Sequence, residues 1–172
     1  MEEKEVLMYG QMPPVSKMDA ALDTLVACER LSLSTNSLGK IDIGLSLPNL
    51  RILSLGRNNL KKIEKLDGLP LLEELWVSYN QISSLDGLAG CANLTRLYIG
   101  NNQIKSFEEL QKLQNNANFN DLLLFGNPCQ TGSGLDRNGY RVEVVRNVPA
   151  IGKVDGDLIK PSERAEAEEP VE

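Results

Sequence analysis

Trp76 and Tyr98 stand 22 residues apart, Tyr79 follows Trp76 by three, Phe125 lies 27 beyond Tyr98, and Leu123, Ile52, Arg57 and Arg96 fall at related spacings. Rings beside guanidinium groups make contacts rather than reactions, and Trp, Tyr and Arg are the residues that concentrate binding energy at protein interfaces. Reactive chemistry is thinly supplied. The 172-residue chain has no histidine, which removes imidazole general-base catalysis, Ser-His arrangements and the commonest zinc ligand. Cys28, Cys91 and Cys129 are too far apart for a zinc-knuckle pair, and an odd number of them reads as reduced, packed thiols. Glu73-Glu74 is an acid pair whose members should point to opposite faces of one strand. Asp136-Arg137-Asn138-Gly139 lacks the first acid and the closing Glu of a calcium loop, and Gly132-Ser133-Gly134 reads as a flexible loop. No phosphate loop or nucleophile elbow is present. The expectation is a protein that is not an enzyme, with no catalytic residue, no metal site and no cofactor.

The element that positions the rings is a repeat. Asn36, Asn58, Asn80 and Asn102 recur every 22 residues, and Asn127 follows after 25. Each is the ninth position of an eleven-residue pattern that is apolar at its first, fourth and sixth positions, as in Leu50-Leu53-Leu55-Asn58 and Leu72-Leu75-Val77-Asn80. The first half of the unit alternates apolar and exposed positions and so reads as a short strand. In the second half apolar residues return at three-residue intervals, as in Leu60-Ile63-Leu66-Leu69, which suits a 3₁₀ turn or short helix. One unit cannot cover its own apolar edge, so the units must stack with parallel strands roughly 4.8 Å apart. The predicted fold is therefore α/β: a leucine-rich repeat right-handed solenoid with a short parallel sheet and helical caps at both ends. Its repeats fall near 28–49, 50–71, 72–93, 94–118 and 119–139. Where the chain leaves each strand, the Asn amide is expected to satisfy inward-facing backbone groups, forming a structural ladder.

Third, fifth, seventh and eighth positions point away from the core and map the concave face. There the first two units offer mostly Ser, Thr and Gly, including Ser32 and Ser54, whereas the third to fifth offer Trp76, Tyr79, Tyr98, Leu123 and Phe125. A contiguous exposed apolar surface of this kind marks an interaction site, with Arg57 and Arg96 as a charged rim. The N-terminal cap is expected to start at Ser16 as N-cap, with Met18, Ala21, Leu22, Leu25 and Val26 on one helical face. In the C-terminal cap, 140–156, Tyr140, Val144, Val145 and Val148 suit a helix, while Tyr140-Val142-Val144 would also suit a strand; Ile151 to Gly156 then close the turn.

The net charge of −6 is 18 bases against 24 acids. Residues 161–172 hold five of those acids and one Arg, leaving the rest of the chain nearly neutral, so 157–172 is expected to be an acidic, partly disordered tail. No stretch is apolar enough to span a membrane, and Met1-Glu2-Glu3-Lys4-Glu5 is unlike a signal peptide, which together imply an intracellular protein.

Several stretches go beyond the repeat. Met12-Pro13-Pro14, Lys17-Met18-Asp19-Ala20, Leu53-Ser54-Leu55-Gly56-Arg57-Asn58, Leu72-Glu73-Glu74-Leu75-Trp76-Val77-Ser78-Tyr79-Asn80, Gly126-Asn127-Pro128 and Tyr140-Arg141-Val142-Glu143-Val144-Val145 together resemble the leucine-rich-repeat light chains of axonemal outer-arm dynein. The resemblance runs from about residue 6 to residue 156. It implies a regulatory light chain that binds the motor region of a dynein heavy chain at its microtubule-binding stalk tip, tunes ciliary or flagellar motility, and contacts tubulin. The implied location is the cytoplasm and cytoskeleton, at the axoneme of a cilium or flagellum. No nucleic acid or membrane partner is expected, and the chain alone is expected to be a monomer. Two other readings stay open at this point: a phosphatase-targeting subunit of the same repeat type and a spliceosomal scaffold. The chain departs from the resembled family at Ala150, where Asn usually follows the proline, and in the loop 132–139.

Overall fold

The computed structural model describes residues 3–42 and 45–170. Residues 43–44 of the first return segment, the opening Met1-Glu2 and the last two positions of the acidic tail lie outside them. One eight-stranded sheet runs in chain order through β1 (Glu5–Leu7), β2 (Arg30–Ser32), β3 (Ile52–Ser54), β4 (Glu74–Trp76), β5 (Arg96–Tyr98), β6 (Asp121–Leu123), β7 (Lys153–Val154) and β8 (Asp157–Leu158). Strands β1 to β7 are parallel and only β8 turns back antiparallel. Each coil buries its middle strand residue, Leu31, Leu53, Leu75, Leu97 and Leu122, against the apolar residues of the return segments, in one continuous core. The three-residue spacing takes the expected 3₁₀ form at Asp86–Leu88 and Phe107–Leu113, whereas the return segment that holds Leu60, Ile63, Leu66 and Leu69 has no helical stretch and buries them from irregular chain. Two glycines let neighbouring return segments touch. A Cβ at Gly68 would lie 1.9 Å from the Leu45 carbonyl oxygen, and one at Gly87 would lie 1.7 Å from that of Ile63.

Each ladder Asn ties two coils together. Asn80 Oδ1 accepts from the Leu60 N–H at 2.9 Å, while Nδ2 donates to the carbonyls of Leu55 and Val77. Asn58, Asn102 and Asn127 repeat the arrangement on Leu38, Ile82 and Ile104, and Asn36 repeats it on Val15 and Met8. The residue just before each Asn is left-handed: Thr35, Arg57, Tyr79 and Asn101 have φ of 58°, 53°, 59° and 54°, and Gly126 has 80°. This reversal turns the chain inward so that the amide can reach the strand carbonyls.

The ends differ from the sequence expectation. Ser16 caps nothing; Asp19 is the N-cap, accepting from the Ala21 N–H, and the helix is a single 3₁₀ stretch, Ala20–Thr24, that buries Leu22; Met18 is buried just before it and Val26, beyond it, is exposed. What chiefly closes this end is β1. Residues 3–11 form a half-repeat in register with 28–36, with Gly10 left-handed where Thr35 is, and with Met8 N–H and Gly10 N–H donating to Ser32 O and Ser34 O. At the other end, Pro128–Thr131 (α1) is a short helix capped by Gly132, and Tyr140 lies in helix α2 (Arg137–Asn147), so helix wins over strand. Asp136 is the N-cap of α2, accepting from the Gly139 N–H. The expectation of a partly disordered tail from 157 is corrected by the geometry: 157–158 form β8 and Pro161–Glu168 form helix α3. Composition misses this because one acid, Glu163, is buried against Arg141, with side chains 3% and 6% exposed and Arg141 Nε donating to Glu163 at 2.5 Å. Arg164 also donates to the carbonyls of Pro149 and Ile151.

Candidate functional site

In-register stacking lines up like positions of successive coils across the concave face. The third-position row reads Glu5, Arg30, Ile52, Glu74, Arg96, Asp121, Lys153. Apart from Ile52 it alternates in sign, and its charges are spent on one another. Arg30 meets Glu5 at 3.1 Å, Arg96 reaches Glu74 at 2.6 Å and Asp121 at 3.0 Å, and Lys153 lies 3.5 Å from Asp121. Burial alone would depress the Arg96 pKa, yet the Glu74 and Asp121 carboxylates hold it above its ordinary value. Arg96 is therefore a neutralised strut rather than a free rim charge. Among the other acids singled out, Glu73 pairs with Arg51 on the opposite side of the strand.

The fifth-position row carries Leu7, Ser32, Ser54, Trp76, Tyr98 and Leu123. Trp76 and Tyr98 stack with ring centroids 5.8 Å apart and planes 22° apart, and the Trp76 indole N–H donates to Glu74 at 3.1 Å. Half-buried by this mutual packing, the two rings are less exposed than the period-two pattern suggests. The Arg30 guanidinium lies 5.5 Å from the Trp76 centroid. Ser32 and Ser54, expected at the surface, are buried, Ser54 at 4%.

Row seven is small, with Ser34, Gly56, Ser78 and Gly100, and its next member is Phe125. Row eight, swung outward by the left-handed backbone, carries Thr35, Arg57, Tyr79 and Asn101. The small row is the floor of a trough of about 290 Å³ whose walls are Trp76 and Tyr98 on one side and Thr35, Arg57 and Tyr79 on the other. Tyr79 is 49% exposed, and the Arg57 guanidinium sits 4.2 Å over its ring. Among the described residues, no terminal segment lines this trough.

The remaining expected residues belong to a second hollow. Phe125, 57% exposed, and Leu123 line a cavity of about 540 Å³ with Leu135, Tyr140, Arg137 and Asp155. The Tyr140 hydroxyl donates to Asp155 at 2.8 Å, and burial followed by that carboxylate pushes its pKa strongly upward. Asp155 also accepts from the N–H groups of Leu124 and Phe125, capping the last strand of the repeat series. Sequence reasoning missed Leu135 and Asp155, because Leu135 lies in the irregular second half of the last repeat, Asp155 lies beyond the repeats, and no periodicity marks either.

The cysteines are buried free thiols, and burial pushes Cys91 and Cys129 up to about 11, which keeps them protonated and unreactive. Among the described residues no group of His, Cys, Asp and Glu could hold a metal ion, and no helix is long and apolar enough to cross a membrane.

Comparison with known proteins gives a family. Leucine-rich repeat models match residues 28–82 and 70–112. The chain is 47% identical over 169 residues to dynein axonemal light chain 1 of Chlamydomonas reinhardtii, covering 96% of this chain and 85% of that one. A leucine-rich repeat protein of Leptospira interrogans superposes with TM-score 0.68 at 23% identity over 87% of this chain and 36% of its own. The Drosophila melanogaster SNF/U2A' complex does so with TM-score 0.60 at 24% identity, over 72% and 75%. At those identities both structures speak for the fold alone.

Proposed function

The chain belongs to the axonemal dynein light chain 1 family, and from that premise we propose that it is a non-enzymatic regulatory light chain of outer-arm dynein, docked through its concave face on the microtubule-binding stalk tip of a heavy chain. In this reading it works at the axoneme of a cilium or flagellum and tunes motility by changing how the motor engages its track. The observation that carries the proposal is the open aromatic trough: Trp76, Tyr98 and Tyr79 surround a hollow that none of the described residues fills. Rings held on a stiff sheet lose little freedom on binding and bury a large area, as binding hot spots do. Contact with tubulin would follow from docking beside the track-binding surface. Nothing in the structure favours the phosphatase-targeting or spliceosomal readings.

The test is an affinity measurement between the full chain and a purified heavy-chain stalk-tip domain. Trp76→Ala should weaken binding about 30-fold, equivalent to about 2 kcal/mol, with a thermal melt as the folding control. An unchanged affinity in a folded variant removes the trough from the interface.

A further inference from the structure

Among the described residues, the concave face leaves one charge unspent. Its acids are all engaged: Glu5 by Arg30, Glu74 by Arg96 and the Trp76 indole, Asp121 by Arg96 and Lys153, and Asp155 by two backbone N–H groups and the Tyr140 hydroxyl. Three of its cations, Arg30, Arg96 and Lys153, are correspondingly neutralised. Arg57 is the exception. Among the described residues its side chain has no acidic partner and no hydrogen bond; the guanidinium rests on the Tyr79 ring, at the wall of the trough. Row eight's left-handed backbone aims it there, since φ of 53° at Arg57 and 59° at Tyr79 turns both side chains to the same side of the floor.

The floor beside it is polar and unfinished. Ser78 Oγ is shielded from solvent and has no hydrogen-bond partner, and Ser34 lines the same hollow. Between them Gly56 keeps the space open: a Cβ there would lie 3.2 Å from the Ser78 carbonyl oxygen and 3.9 Å from Ser34 Oγ. Across the trough stands the apolar wall of Trp76 and Tyr98, so a planar guanidinium, hydroxyl groups and two rings converge on one small volume.

We infer that the trough receives a segment of the heavy-chain stalk tip in which a carboxylate side chain lies next to an apolar one, the carboxylate on Arg57 and the apolar group on Trp76 and Tyr98. This inference rests on the docking reading above and specifies what fills the hollow. A guanidinium presents paired N–H donors that match a carboxylate edge, and its ring shelf holds it flat for that contact. Because the neighbouring charges are already satisfied, an incoming base finds no free acid, whereas an incoming acid finds one cation; the trough therefore selects by sign as well as by shape.

The experiment measures affinity of the full chain for the stalk-tip domain with wild type, Arg57→Gln, Arg57→Lys and Arg57→Glu, at low and high salt. Arg57→Gln should weaken binding about tenfold and Arg57→Glu more, Arg57→Lys should keep only part of the affinity because an ammonium is a point charge without the planar fork, and the losses should shrink as salt rises. A stalk-tip variant with the matching acid changed to Lys should restore binding to Arg57→Glu. If Trp76→Ala abolishes binding while all three Arg57 variants bind as wild type, docking stands and the acidic occupant is refuted. Wild-type chain that fails to bind the domain overturns both. Arg57 variants that lose only co-sedimentation with microtubules, with heavy-chain affinity intact, assign the acid to the track and refute this inference.

Discussion

Asn80→Ala removes one rung of the ladder, and the cost can be worked from its three bonds. The Leu55 and Val77 carbonyls each keep a second donor, from Asn58 and Asn102 at 3.0 Å, so they stay satisfied. The Leu60 N–H, buried beneath the turn, loses Asn80 Oδ1 and has nothing to replace it. An orphaned buried donor costs about 1–3 kcal/mol, and the two surrendered carbonyl bonds raise the total to about 2–4 kcal/mol. For a domain of this size each kcal/mol lowers Tm by about 2–4 °C, so the melt should fall by about 4–16 °C. Asn80→Asp sharpens the test. It keeps the acceptor for Leu60 but aims a carboxylate at two carbonyls, which raises its folded-state pKa. The penalty is full above that raised value and fades as pH falls towards the unfolded-state value. Urea unfolding followed by circular dichroism, with amide hydrogen exchange at Leu60, reads both variants. A melt of Asn80→Ala within about a degree of wild type would refute the accounting.

Two predictions concern other parts of the frame. Arg141 and Glu163 form a buried pair that bolts α3 to α2, and the hydrogen bonds from Arg141 hold the Glu163 carboxyl below its usual range. The stability from a depressed carboxylate is fully present above its unfolded-state pKa of about 4.3 and is lost as pH falls through the lower folded value. Glu163→Gln should therefore cost about 3 kcal/mol near pH 7, with the gap from wild type closing below about pH 4; parallel unfolding curves across that window would contradict the pairing. Thr35 is a β-branched residue held at φ 58°, so Thr35→Asn should gain about 0.5–1 kcal/mol by relieving left-handed strain, and an unchanged or lower melting temperature would show that the strain is absent.

The solenoid was legible because its signal is repeated: five copies of one apolar pattern fix strand, turn and core positions, and the ladder amides stand at a constant offset from them. The contact surface was legible in outline for the same reason, since rows of the concave face follow from the period. Its electrostatics were not. That Arg96 is neutralised and Arg57 free depends on which carboxylates stand in the neighbouring coils' third positions, together with a left-handed turn that Thr, Arg and Tyr do not advertise. Both ends eluded the pattern because each departs from it. The opening half-repeat carries Gln11 where the others have Asn, and the acidic tail conceals one carboxylate whose partner lies 22 residues away.

The left-handed turn before every ladder Asn separates two kinds of information. Amides, leucines and backbone reversal hold each coil to the next, while the side chains carried by the reversed residues touch little beneath them. Swapping Arg57 or Tyr79 for another long side chain alters what the hollow admits and leaves the scaffold as it was. Descendants of such a chain can thus drift towards new clients one row at a time, without first surrendering the ability to fold.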